Sequence, residues 1–116
     1  MLTDLAGEEY AYLTTTGRRT GAPHEIEIWF ATDGTVVWMI SGGHDRSDWV
    51  QNLLTAPDAV VRIGERSLAV RARPALREPN ERRAAAEALH AKYAAQVDAT
   101  AEEWVQGAYL LAFELR

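Results

Sequence analysis

From His24 to Ala31 apolar and polar residues alternate strictly, with Ile26, Ile28 and Phe30 on one face and Glu25, Glu27 and Trp29 on the other. A period of two predicts a half-buried strand. Tyr10 to Thr15 is a shorter β-rich run ahead of it, and Asp33-Gly34 behind it is a strong hairpin signal. Thr35 to Ile40 is continuously apolar and rich in β-branched residues, as a strand buried on both faces should be. Ala59 to Ile63 and Ser67 to Ala75 read as two further strands joined by Gly64-Glu65, and Tyr109 to Leu115 closes the chain as another.

The period changes between Asp45 and Thr55, where Trp49, Leu53 and Leu54 fall on one helical face with Val50 beside them. Asp45 or Ser47 is placed to cap this helix, and Ala56-Pro57 ends it. Pro79 to Val97, alanine-rich with Leu89 and Tyr93 at helical spacing, predicts one long helix with Asn80 as a cap. A short helical piece follows around Ala101 to Val105. Mostly antiparallel strands, about six of them, with one short and one long helix, predict a mainly β fold with helices (α+β), built as a small barrel. No linker or repeat divides residues 1–116, so the reading is one domain.

Composition narrows the function classes. With 47% hydrophobic and 25% charged residues the chain resembles an ordinary globular protein rather than a disordered one. No apolar run approaches the roughly 20 residues that span a bilayer, which predicts no integral membrane segment. The absence of cysteine removes disulfides and thiol chemistry and fits a cytoplasmic location. A formal net charge of −5 argues against nucleic-acid binding. That average hides a local basic site, which suits a small anionic ligand better than a polymer.

The basic site is the run Thr14-Thr15-Thr16-Gly17-Arg18-Arg19-Thr20-Gly21-Ala22-Pro23-His24, in which two arginines sit in a glycine-flanked turn between strands. Glycines relieve the backbone, amides and hydroxyls donate hydrogen bonds, and a guanidinium matches the paired oxygens of a phosphate. A solvated hairpin loop is the alternative reading. Likewise, His24 is either an anion ligand in its protonated form or an ordinary histidine at the start of a strand. Ser41-Gly42-Gly43, directly after a buried strand, offers small side chains that would let main-chain amides approach a flat ring or a phosphate. His44 and His90 stand at no metal-ligand spacing with His24, so no metal site is expected. No nucleophile triad is evident, and no catalytic residue is assigned; Tyr93 and Tyr109 are either proton donors or core and rim tyrosines.

Taken in order, Leu13 to His24, the Asp33-Gly34 turn, Ser41-Gly42-Gly43, Trp49-Val50-Gln51-Asn52-Leu53 and Ala56-Pro57 resemble the deazaflavin (coenzyme F-420)-dependent nitroreductase family over about Tyr10 to Tyr93. The resemblance implies a split β-barrel that binds coenzyme F-420. It implies hydride transfer from the reduced coenzyme to a small electron-poor substrate, namely an activated alkene, a quinone or a nitro compound. On that resemblance Arg18 and Arg19 grip the coenzyme's phosphodiester or its carboxylate-rich tail. Ser41, Gly42 and Gly43 lie alongside the coenzyme, Trp29 faces the ring system, and Trp49 and Asn52 lie close to it.

The chain departs from the family pattern in several places, Arg19 among them, which stands where the family commonly has lysine. His24 stands where relatives often carry arginine, Glu27 where they carry a small or cyclic neutral residue, and the lysine that often follows the serine is missing after Ser41. Glu25 and Glu27 are expected to pair across strands with Arg62, Arg71 or Arg73. Two function classes stay open: the reductase, and a non-catalytic or FMN-using small-ligand-binding protein of the same fold. Four tryptophans and several apolar strand faces fit either a self-contained core or a homodimer interface.

Overall fold

The computed structural model describes residues 2–42, 44–75 and 80–116. Its seven strands are β1 (Ala11–Thr16), β2 (Pro23–Ile28), β3 (Ala31–Thr32), β4 (Val36–Ser41), β5 (Asp58–Ile63), β6 (Arg66–Pro74) and β7 (Tyr109–Leu115). They form one antiparallel sheet in the order β2-β1-β5-β6-β7-β4-β3. The two edge strands are consecutive in sequence, separated only by Trp29 and Phe30. Two residues reach only about 7 Å, so the edges must lie close together, and the sheet curls into a split β-barrel with its seam there.

This seam corrects the reading of one strand from His24 to Ala31. Alternation continues through Trp29 and Phe30, but Phe30 turns its side chain fully into the barrel core and the ladder with β1 stops at Ile28. Among the described residues the strands number seven rather than six for that reason.

Inside the barrel Leu13, Val37, Met39, Val61, Leu111 and Phe113 pack with Phe30. Outside it, α2 (Glu81–Tyr93) covers β4 and β7, where Trp38, Leu110 and Ala112 meet Ala85, Ala86 and Leu89. Both faces of β4 and β7 are therefore buried, which is why they read as continuous apolar runs. Small Ala85 and Ala86 let the helix approach the sheet closely. Arg73 on β6 fixes the start of α2 through Glu81 at 2.7 Å and reaches Glu114 of β7 at 2.5 Å.

The long helix is shorter than its alanine pattern predicts, since α2 passes into a 3-10 turn over Ala94–Gln96. Asn80 stands at its N-cap but makes no side-chain cap bond, and the predicted start at Pro79 lies outside the described residues. After it comes α3 (Ala101–Gly107), begun by a reciprocal capping box between Thr100 and Glu103. Arg82 of α2 closes its other end by donating to the Val105 carbonyl at 2.5 Å. Among the described residues no helix is long and apolar enough to cross a membrane.

Candidate functional site

The turn between β1 and β2 is tightly folded, with Gly17 N–H donating to the Ala22 carbonyl at 2.7 Å and Gly21 N–H to the Gly17 carbonyl at 2.8 Å. Gly21 has φ 76°, a left-handed conformation that glycine adopts without strain. A Cβ on Gly17 would stand 2.7 Å from the His24 ring, so only glycine allows that imidazole to lie across the turn.

Behind the turn runs α1 (Asp48–Thr55), whose Asn52 is only 5% exposed. Its amide nitrogen donates to Thr15 Oγ1 at 3.1 Å. Its oxygen accepts from Arg18 N–H at 3.2 Å and from the Arg18 guanidinium at 2.8 Å. Arg18 also meets Asp48 at 3.2 Å. The two arginines therefore differ: Arg18 is tied to α1, whereas Arg19 is exposed and meets no partner among the described residues.

Ser47 occupies the N-cap of α1, yet its hydroxyl makes no cap bond and instead meets Ser41 Oγ at 2.7 Å. This contact joins the end of β4 to the helix and buries Ser41. Leu54, expected on the packed face of α1, is 53% exposed, and Asn52 takes the inward place beside Val50 and Leu53. The amide can be buried because its hydrogen bonds are satisfied by the turn.

A cavity of about 620 Å³ opens over this assembly. Arg18, Arg19, His24, Trp49 and Asn52 all line it. Two carboxylates also border it, Asp48 held by Arg18 and Glu25, which lies 4.0 Å from Arg62 on the outer sheet face. The cavity thus offers an unpaired guanidinium, an imidazole and an indole wall, a set suited to a phosphate or carboxylate joined to an apolar group.

Further along β2 a second cavity, of about 440 Å³, is lined by Glu27, Trp29 and Gly42, together with Tyr10, Ile40 and Trp104. Trp29 stacks parallel on Tyr93, with ring centres 4.4 Å apart. Tyr93 is buried and spends its hydroxyl on the backbone: it accepts from Phe30 N–H at 3.0 Å and faces the carbonyls of Glu9 at 2.7 Å and Phe30 at 3.1 Å. That removes it as a proton donor and makes it the support of Trp29. Trp104 meets His90 edge-on at 5.5 Å. Glu27 accepts from the Tyr12 hydroxyl at 2.9 Å, so its partner is a tyrosine rather than one of the expected arginines; Arg71 pairs with Asp58 and Arg73 with Glu81 and Glu114. A hydrogen bond with Glu9 and that residue's charge, then desolvation and last the charge of Glu27, push the Tyr10 phenol above its ordinary pKa.

The candidate residues thus divide between two cavities on successive parts of one edge strand, with Ser41 between them as a structural tie and Gly43 outside the described residues. Tyr109 packs against the barrel core opposite Ser41. Sequence reasoning missed Tyr10 and Trp104: one precedes a strand and the other sits on a separate helix, and no local period links them to Trp29. Among the described residues no group of three or more metal-ligating side chains is gathered.

Comparison with known proteins gives both family and fold. The family model for the F420H(2)-dependent quinone reductase matches residues 1–104. An F-420 reductase structure is 18% identical with a TM-score of 0.67, the match covering 97% of this chain and 91% of that one. A conserved hypothetical protein of Mycobacterium tuberculosis is also 18% identical, with a TM-score of 0.73 over 97% of this chain and 76% of its own. A protein of Bacteroides thetaiotaomicron described as a putative 5-nitroimidazole antibiotic resistance protein is 8% identical with a TM-score of 0.73, over 96% of this chain and 75% of its own. At these identities the structures establish the fold alone. No curated protein matches the chain.

Proposed function

The chain belongs to the F420H(2)-dependent quinone reductase family, enzymes that use coenzyme F-420, and we propose that it passes a hydride from the reduced coenzyme to a flat electron-poor acceptor such as a quinone, a nitro compound or an activated alkene. The observation that carries this reading is the pairing of an arginine-lined cavity with a tryptophan-lined one along β2. The residues fit the coenzyme: its phosphodiester and carboxylates call for fixed cations and exposed amides, and its flat ring for aromatic walls.

In this reading Arg19 holds the anionic tail, with Arg18 and His24 beside it, and Asn52 keeps the turn in place. Trp49, Gly42 and the Ser41 backbone border the ring. When bound, the reduced deazaflavin supplies the hydride. Trp29 orients the acceptor by stacking, and apolar Ile28 and Ile40 keep water from its face. Tyr10 completes the wall of this cavity, its hydroxyl engaged with Glu9. One domain spanning residues 1–116 and a cytoplasmic location belong to the same proposal; the cysteine-free composition supports the latter.

The test follows consumption of the reduced coenzyme with menadione, a nitroaromatic and a cyclic enone. Oxidation above the protein-free rate with at least one acceptor is expected. Coenzyme binding without any such oxidation would favour the binding-protein reading instead.

A further inference from the structure

The tryptophan-lined cavity combines rigid aromatic planes with fixed negative charge. Trp29 is held by its stack on Tyr93, and Trp104 by His90, whose Nε2 lies 2.7 Å from the Ala99 carbonyl. Glu27 is likewise held in position, because Tyr12 donates to its carboxylate. Glu9 adds a second carboxylate next to the Tyr10 hydroxyl. None of the described lining residues is a lysine or an arginine. Cations on adjoining elements serve other contacts: Arg62 lies over the Tyr12 ring at 4.3 Å, and Lys92 Nζ is buried 3.5 Å from the Phe30 ring centre.

We infer that Glu27 makes this cavity a charge filter, which admits flat acceptors that are neutral or bear a cationic substituent and turns away those bearing a carboxylate or sulfonate. The inference rests on the acceptor role proposed for this cavity. Glu27 is exposed, but an anionic substituent stacked on Trp29 would meet its carboxylate at well under a Debye length, so part of the repulsion survives screening by water. Aromatic faces carry the negative side of their quadrupole and add attraction for cations only. The same field keeps the polyanionic coenzyme tail out of this cavity, and so sets the direction in which the coenzyme lies along β2.

The full chain is titrated with menadione, with 1,4-naphthoquinone-2-sulfonate and with a naphthoquinone bearing a trimethylammonium group, reading tryptophan fluorescence. The sulfonate is expected to bind about fivefold more weakly than menadione, and the cationic quinone at least as tightly. In Glu27→Gln, which keeps an acceptor for Tyr12, the gap should close to within about twofold, while Glu25→Gln should retain it. Equal affinities in the unaltered protein, a gap that persists in Glu27→Gln, or no quinone binding at all would overturn the filter. Steady-state rates separate this from the proposed function. Discrimination in binding without oxidation of the reduced coenzyme would sink the reductase reading and leave the filter standing; oxidation without discrimination would do the reverse.

Discussion

The two cavities along β2 are built by different physics. The arginine cavity is held by directional polar contacts, with Asn52 joining Thr15, Arg18 and α1. Its neighbour is held by ring packing, with Trp29 on Tyr93 and Trp104 on His90. Hydrogen bonds and charges set positions sharply but depend on each partner, whereas packed rings tolerate change until a void opens. Anion recognition needs the first kind of construction, and flat apolar ligands the second.

The largest effect should come from Asn52→Ala. It strips a buried amide and leaves Thr15 and Arg18 without their partner, so unfolding in urea should show a loss of about 2 to 3 kcal/mol. Coenzyme affinity should fall as the turn loosens. A loss of stability with unchanged affinity would mean that the turn holds its shape without α1.

Arg19→Ala should weaken coenzyme binding by about 1 to 3 kcal/mol and, being exposed, change stability by no more than about 0.5 kcal/mol. Arg18→Ala should lower both quantities, since that side chain also serves the turn. Equal outcomes for the two arginines would erase the distinction between a structural guanidinium and a free one.

Tyr93→Phe keeps the stack beneath Trp29 but leaves Phe30 N–H without the oxygen it donates to. A loss of about 1 to 2 kcal/mol in thermal or urea unfolding is expected. Coenzyme affinity in the other cavity should scarcely move. If it drops as far as in Arg19→Ala, the two cavities are not independent.

The smallest effect concerns Lys92, against the rings that support Trp29. Burial pulls its pKa down to about 8 from 10.5, opposed by the charge of Glu8. Below about pH 8 the ammonium is charged in both states and the full cost of burying it is present. Between about 8 and 10.5 the unfolded chain holds a proton that the folded chain has released, so this contribution to stability rises with pH. The melting temperature of the unaltered protein relative to Lys92→Met should therefore rise across that window. A flat difference would mean that the amine reaches water.

Much of the fold was legible because local chemistry and the final structure agree. At Asp33-Gly34, the aspartate accepts from Thr35 N–H, Thr35 Oγ1 and Val36 N–H, and Gly34 takes φ 102°. Strand β7 runs over Tyr109–Leu115 as its apolar run predicts. The break at Trp29 and Phe30 was hidden, because alternation alone does not say where a sheet closes. Leu54 was misplaced for a related reason: an eight-residue helix has too few turns to fix its buried face when a polar residue can be satisfied inside. In the candidate site, the arginine turn and Trp29 stand out in the sequence as charge and aromatic signals. Tyr10 and Trp104 do not, and neither does the capture of Arg18 by Asp48.

What the sequence determined by itself was what one segment decides alone: strand and helix periods, glycine turns, and a local excess of arginine in an acidic chain. These follow from backbone sterics and side-chain spacing over a few residues. Tertiary structure decided which arginine is free, where the glutamates find partners, and that residues from β2, β4 and α3 enclose a second cavity. Those outcomes depend on competition among groups far apart in sequence, and only the closing of the barrel at Trp29 and Phe30 brings them within reach of one another.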